Sequence, residues 1–469
     1  MGLKLFNTLS GRKEELVPVH PGEVRMYVCG VTVYDSCHVG HARSLLTFDV
    51  VYRYLQFLGY RVTFVRNFTD VDDKIIQRAK EQGTTANAIA GKFIAEFYRD
   101  AKALRLVSPS CEPKATEHIP EIIALIRRLE AKGIAYPVDG DVFFSVDKFP
   151  SYGKLSGRRL DELEAGARVE VDERKKSPLD FALWKAAKEG EPSWDSPWGA
   201  GRPGWHIECS AMSTKYLGQP FDIHAGGRDL IFPHHENEIA QSEAASELPF
   251  ARYWIHNELL QINQQKMSKS LGNFYTIQEI LERCDAAALR HYFLASHYRS
   301  PLDFSEQGLE EAARGVERIY ETAARLSRQV PSPASTEPDP ALLENFREEM
   351  SDDFNTPRAL ALVFEEVRAL NRLLDQGKTA GLNARGEAFK IITGVLGLQG
   401  DPEAFFNNKK DRWLRQRGLS SEAIEASIQR RNQARRDKRW EEADHIRTEL
   451  HDLGIILEDT PGGTVWKVK

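Results

Sequence analysis

A chain of 469 residues is too long for one hydrophobic core and is expected to divide into about three to four domains. Its 69 Asp+Glu against 63 Lys+Arg exclude a protein that coats nucleic acid along its whole surface, although a local basic patch stays open. Five cysteines, at 29, 37, 111, 209 and 284, are too few and scattered for a disulfide framework, and no run approaches the ~20 apolar residues of a membrane span; a soluble protein of a reducing, cytoplasmic compartment is expected.

From Val24 to about Leu106, strand and helix patterns alternate: VRMYVC, the helical HARSLLTFDVVYRYLQFLG, the strand RVTFVRNF and two amphipathic helices. Such a βαβ series predicts an α/β fold with a doubly wound parallel sheet. Ligands then belong at the carboxyl ends of the strands, where Cys29, HVGH (38–41) and Thr69-Asp70 fall. Residues 110–203, with a helix over Glu117–Lys132, a hairpin at Asp139-Gly140 and a Trp/Gly/Pro-rich stretch, read as an insertion. The α/β texture resumes over 204–262: a helix from His206, the strand FDIHAG, a helix after Pro233 and a strand from Tyr253 to Ile262. The segment 263–310 carries KMSKS (266–270), and a long amphipathic pattern starts at Ser305. Helices fill 311–400 around a Pro/Ser-rich linker (331–340), and 405–469 forms a small α+β unit of basic helices and a last hairpin.

Two constellations carry chemistry. In FPHHENE, Pro233 suits a first helical turn, which places His234 and Glu238 one turn apart on one face. Ile239 stands where the second histidine of an HExxH motif would be, so this is not a zincin. Cys209 on the preceding helix and Cys29 at the first strand's end can join them, and zinc suits two thiolates, an imidazole and a carboxylate. Singly, each residue is more often plain packing or surface; together they point to a metal.

The second constellation is anionic in its preference. His38 to His41 open a helix with Gly40 in its first turn, where backbone N–H groups and the macrodipole are expected to receive phosphate. Lys266 and Lys269 follow a later strand of the same interrupted sheet. Transfer of an adenylyl group to a carboxylate needs no protein nucleophile, only stabilisation of charge on the departing pyrophosphate, which imidazoles and ammonium groups supply.

YVCGVTVYD with CHVGHARS, RNFTDVDDKI (66–75), GWHIECSAM (204–212), DIHAGGRDLIFPHHENEIAQSE (222–243) and KMSKSLGNF (266–274) closely resemble the cysteinyl-tRNA synthetases, class I enzymes with a split Rossmann catalytic domain. The resemblance spans nearly the whole chain. It implies one Zn2+ per chain on Cys29, Cys209, His234 and Glu238, and ATP, with Mg2+, at His38, Gly40, His41, Lys266 and Lys269. Of these, the two histidines and two lysines take the catalytic role. Gly226, Gly227 and Asp229 match an adenosine-binding loop, while Gly30, Thr32, Thr69 and Trp205 fall in the L-cysteine pocket. Two residues depart from the family's pattern: Val39 for the usual Ile, and Ala225 for a frequent glycine, which would be strained if that backbone needed positive φ.

The resemblance also gives the metal a purpose, since zinc binds the thiolate of cysteine well and the protonated hydroxyl of serine poorly. It divides the chain into two Rossmann halves (1–109 and 204–262), a connective insertion (110–203), a KMSKS and stem-contact region (263–310), a helical tRNA-binding bundle (311–400) and an anticodon-binding unit (405–469). The expected partner is the tRNA for cysteine, and the expected state a monomer. From Lys409 to Arg439 eleven Lys+Arg face four Asp+Glu, with Trp413 and Trp440 flanking them as candidates to stack an unpaired base. Rival readings are a cysteine ligase of mycothiol synthesis, which joins cysteine to an aminosugar, and a non-catalytic tRNA-binding paralogue. The basic tail beyond about residue 310 disfavours the first, and the intact motifs disfavour the second.

Overall fold

The computed structural model describes residues 2–159, 173–262, 265–266, 274–329, 337–378, 381–460 and 463–468. At its centre β1 (Glu23–Val28), β2 (Arg61–Arg66), β3 (Phe221–Gly227) and β4 (Ala251–Asn257) form an all-parallel sheet in the order β4-β3-β1-β2. Alternating side chains serve its two faces. Val24, Met26 and Val28 join Ile223 and Ile255 in one core, while Tyr27 joins Val65, Met212 and Trp254 in another. Helix α1 (Val39–Phe57) packs on the first face through Phe48, Val51 and Leu55; α2 (Trp205–Leu217) and α3 (Glu236–Ser246) pack on the second through Met212 and Ile239. With both faces covered, the strands tolerate near-continuous apolar sequence.

From β1 the chain crosses through α1 to β2 on one side, and β3, which arrives after the insertion, takes the other side. The crevice between β1 and β3 is thus a topological switch point, the place where doubly wound sheets receive ligands. The two strands are paired up to Val28 with Ala225, and Cys29 N–H donates to Ala225 O at 3.0 Å.

The strand expected from Tyr253 to Ile262 breaks at Asn257. Glu258 N–H turns away to Tyr298 O, and the chain enters a separate sheet in which β5 (Leu260–Ile262) lies between β6 (Gln265–Lys266, antiparallel) and β7 (Leu302–Phe304, parallel). The insertion holds a helix over Ile119–Ala131 and an antiparallel sheet of Ala135–Val138, Asp141–Phe144, Phe181–Ala186 and Gly201–Pro203. Its first hairpin turns on Asp139 and Gly140, both at positive φ (50° and 86°), as a two-residue turn with matching twist requires.

Helices Glu306–Gln329, Pro340–Met350, Thr356–Asp375 and Leu382–Val395 form a bundle whose core is continuous with α1 through Tyr54, Phe346 and Leu370. A hairpin of Lys4–Asn7 and Arg12–Glu15, absent from the sequence reading, closes the bundle's junction with the sheet. Buried Asp353 accepts from Phe6 N–H (2.8 Å) and from Tyr298 OH (2.7 Å), and is paired with Arg299. Asp353 therefore ties the N-terminal hairpin to the segment of Tyr298 and Arg299.

The last unit packs Pro402–Arg417, Ser421–Arg436 and Trp440–Asp452 against the hairpin Ile455–Thr460 with Gly463–Val468. Trp413 is buried in its core and not offered to a ligand, whereas Trp440 is 57% exposed. Among its basic residues Arg431 is buried and paired with Asp459, so part of the positive charge holds the unit together. Among the described residues no helix is long and apolar enough to cross a membrane.

Candidate active site

Four donor atoms converge beyond the carboxyl ends of β1 and β3. Cys29 follows β1, Cys209 lies on the second turn of α2, His234 precedes α3 and Glu238 lies on its first turn; their ligand atoms all fall within 4.8 Å of one another. The edges are Cys29 Sγ to Cys209 Sγ 3.8 Å, Cys29 Sγ to Glu238 Oε1 3.5 Å and His234 Nε2 to Glu238 Oε1 3.0 Å. Those lengths match a tetrahedron with bonds of about 2.3 Å to sulfur and about 2.0–2.2 Å to nitrogen and oxygen, the dimensions of zinc.

His234 and Glu238 do lie one turn apart, but not as the sequence suggested. Pro233 follows a cis peptide in a wide turn, Ile231–His235, with Phe232 non-helical, and α3 begins at Glu236.

The surroundings orient each donor. His206 Nδ1 lies 2.9 Å from His234 Nδ1, and His224 Nε2 lies 2.8 Å from Glu238 Oε2. A line of hydrogen bonds runs from Thr8 Oγ1 through His256 and His235 to Cys29 Sγ, with steps of 2.8, 2.8 and 3.3 Å. These four histidines escaped the sequence reading. The HH pair at 234–235 was visible, but a histidine inside a strand, such as His224 in FDIHAG, gives no signal of its own.

A second set, Cys29, His224, His235 and Glu238, is also compact. It carries one sulfur instead of two, and the two-thiolate set is the better match to zinc.

Charge is arranged accordingly. Burial would raise the Glu238 carboxyl, but the charges and hydrogen bonds of His224 and His234 override it and bring it to about 2. Burial opposes a charge on His234, yet Glu238 and Cys209 beside it carry it up to about 10. The hydrogen bond from Cys29 lowers the Cys209 thiol to about 6, while burial raises Cys29, so Cys209 ionises first. Burial pushes His206 and His235 well below the usual imidazole range, and both stay neutral.

A cavity of about 350 Å³ reaches this quartet at Cys29, the one of its four residues that lines it. Cys29, Gly30, Thr32 and Trp205 line it together with His38, Gly40, His41, Gly227 and Asp229. Gly30 is required by close approach, since a Cβ there would sit 1.6 Å from Asn67 O. The Trp205 ring lies 4.3 Å from that of His234 and roofs the metal-side wall. Thr69 is buried one layer back, bridged to Thr32, and does not line the cavity. Gly226 is likewise behind the wall, where a Cβ would meet Leu230 and His235. Ala225 is not among the residues of positive φ and pairs with Val28 inside the sheet, so it carries no strain.

At His38–His41 the helix start differs from expectation in one respect. The backbone N–H groups are already engaged: Val39 with Tyr275 O, Gly40 and His41 with His38 Nδ1 (3.1 and 3.3 Å), and Ala42 with His38 O. His41 Nδ1 in turn accepts from His38 N–H at 3.1 Å, a capping box built from two imidazoles. With Nδ1 of each ring an acceptor, the proton resides on Nε2, so N–H donors come from the stacked side chains rather than from the backbone. Burial and the neighbouring His38 lower His41 to about 3, and it is neutral.

Of the two lysines, Lys266 lies on β6 opposite Gln261, and Lys269 falls outside the described residues. Burial raises the Cys37 thiol to about 12, in keeping with plain packing beside His38.

Comparison with known proteins follows the same division of the chain. Residues 15–314 match the family described as tRNA synthetases class I (C) catalytic domain, 345–399 the DALR domain and 418–466 the Cysteinyl-tRNA ligase anticodon binding domain. Proteins named "Cysteine--tRNA ligase" from Geobacter sulfurreducens and Geobacter metallireducens are each 56% identical, over 481 and 486 residues and 100% of both chains.

Among solved structures, Mycobacterium tuberculosis methionyl-tRNA synthetase in complex with methionyl-adenylate is similar at TM-score 0.56 and 16% identity, covering 80% of this chain and 90% of that one. The Agrobacterium radiobacter K84 agnB2 LeuRS-tRNA-LeuAMS complex is similar at TM-score 0.61 and 11% identity, covering 84% and 86%. These two likenesses concern the fold: a Rossmann-like catalytic domain with helices appended. Full-length identity, the three matched domains and the α/β architecture lead to one conclusion: the chain belongs to the cysteine–tRNA ligase family of class I aminoacyl-tRNA synthetases.

Proposed function

We propose that the protein ligates L-cysteine to its tRNA at the expense of ATP, by way of a cysteinyl-adenylate. The observation that carries this reading is the two-sulfur quartet, whose Cys29 lines the same cavity as the paired imidazoles. Cys29, Cys209, His234 and Glu238 would hold one zinc ion, and their donor set and spacing fit it. Bound there, zinc supplies a Lewis acid that favours a thiolate over a neutral hydroxyl.

The protein's own groups account for the rest. Gly30 lets the chain approach closely, Thr32 and Trp205 wall the amino-acid end, and Thr69 acts from behind by holding the segment of Thr32. The substrate carboxylate attacks the α-phosphorus of ATP, the bond to pyrophosphate breaks, and the developing negative charge faces the Nε2–H groups of His38 and His41. Lys266 and Lys269 add positive charge, with Mg2+ accompanying the nucleotide; Gly40, Gly226, Gly227 and Asp229 shape the adenosine side. A terminal ribose hydroxyl of the tRNA then attacks the carbonyl carbon and AMP departs.

The two sheet halves (1–109 and 204–262) form the catalytic domain, 110–203 is the connective insertion, 263–310 is the KMSKS and stem-contact region, 311–400 is the helical tRNA-binding bundle, and 405–469 reads the anticodon. Exposed Trp440, not Trp413, is the base-stacking candidate of that last unit. The protein acts as a cytoplasmic monomer. Its match to an anticodon-binding domain over 418–466 favours tRNA over an aminosugar as acceptor. Aminoacylation with purified components tests the reading: charging of cysteine tRNA is expected, and charging of an aminosugar in its place would overturn it.

A further inference from the structure

Arg43, on the second turn of α1, is 1% exposed and has no carboxylate partner among the described residues. A guanidinium brought out of water is costly unless its donors are used. Here its donors go to two main-chain carbonyls from distant parts of the chain: NH1 to Leu259 O at 2.7 Å and NH2 to Ser300 O at 2.5 Å.

Those carbonyls are not arbitrary points. Leu259 immediately precedes β5, and Ser300 lies two residues before β7, the parallel neighbour paired to β5 through Leu260 and Leu302. On its other edge β5 pairs with β6, where Gln261 faces Lys266. One planar fork therefore holds the start of β5, the strand on which the Lys266 strand pairs, to the start of β7 on β5's other edge, and a fork with fixed geometry sets their spacing as a point charge could not.

The far side of this region is fastened to the same helix start. Val39 N–H donates to Tyr275 O and Ile277 N–H to Cys37 O, each at 3.0 Å, while His38 is bridged to Thr276. Both flanks, Leu259 and Tyr275–Ile277, are thus tied to the segment that bears His38 and His41.

We propose that Arg43 is a positioning residue for adenylation: by spanning Leu259 O and Ser300 O it fixes the Lys266 strand at one distance from the imidazoles of α1, so that lysine and histidines act on one phosphate chain. The inference rests on the adenylation reading above. It predicts an effect on the chemical step and little on cysteine capture, because the metal quartet lies beyond a different pair of strands. A misplacement of about 1 Å costs on the order of 100-fold in rate.

The test is a cycle of Arg43→Met, Lys266→Ala and the double variant of the full-length, zinc-loaded protein, measured by cysteine-dependent ATP–pyrophosphate exchange. Arg43→Met is expected to lower kcat by about 10- to 100-fold, with KM for cysteine within about twofold and zinc content unchanged. Adding Lys266→Ala to it is expected to cost far less than in the wild-type background, because the lysine is already misplaced. Multiplicative losses, or an unchanged kcat in Arg43→Met, would overturn the proposal.

Should Arg43→Met fail to fold, Arg43→Lys serves in the same cycle, its single ammonium being unable to reproduce the fork; the same outcomes decide. If the wild-type protein itself gave no exchange, the adenylation reading would fall; exchange in the wild type with multiplicative losses in the cycle would remove the role of Arg43 alone.

Discussion

At the thiol end of the cleft every donor of the quartet is already bonded to another protein group, whereas at the end proposed for phosphate each imidazole gives its Nδ1 to the helix cap. The thiol end is rich in histidine, and Cys209, His234 and Glu238 are buried there. The imidazoles line a cavity, and the lysines proposed to act with them come from a segment that begins on another sheet. On the function proposed above, selection of the amino acid falls to a preorganised core, and stabilisation of the leaving group to groups brought from separate elements. The two functions should be separable by mutation.

The largest separation is expected from Cys209→Ser. Removing one of two thiolates should empty the metal site and reduce cysteine-dependent exchange on the order of 10,000-fold, the scale on which a site built for one polar contact rejects a substrate lacking it. Metal analysis alongside exchange checks this, and a metal-free variant with normal exchange would break the comparison.

His41→Asn comes next. It keeps an acceptor for His38 N–H but removes Nε2–H, so kcat for exchange should fall by about 100- to 1,000-fold with metal content and KM for cysteine preserved. A raised KM for cysteine with unchanged kcat would mean that the two ends are not separate. The smallest effect belongs to His206→Asn, one bond removed from the metal set. Metal affinity should weaken by about 10- to 100-fold, and exchange should recover when zinc is added in excess. Loss that zinc does not restore would show that His206 acts on substrate instead.

Much of this was legible in the sequence where local rules act alone. Apolar runs ending at Cys29 and Gly226 specify parallel strands, and Asp139-Gly140 specifies its turn because only that backbone tolerates the geometry. The convergence of Cys29, Cys209, His234 and Glu238 was legible too, since two thiols, an imidazole and a carboxylate at strand ends and on one helix face stand out when taken together.

What stayed hidden depends on long-range packing. His206, His224, His235 and His256 come from four different elements and acquire meaning only when β3, β4 and the start of α3 close on Cys29. The capture of the α1 backbone amides by His38 and by Tyr275 O likewise follows from a residue more than 200 positions downstream, so a helix N-terminus that looked ready for phosphate turned out to present side-chain donors instead. Thr69 looked like a pocket residue, but the bridge to Thr32 places it behind the wall.

The central claim is that the substrate thiol is recognised by direct bonding to the metal of the Cys29–Cys209–His234–Glu238 set. Cobalt in place of zinc makes this visible, because a new cobalt–thiolate bond adds a sulfur-to-metal charge-transfer band in the near ultraviolet. Titration of the cobalt-substituted protein with cysteine is expected to raise that band in a saturable manner, and titration with serine to leave it unchanged. Saturable cysteine binding that supports adenylate formation without any change in the band would contradict the account.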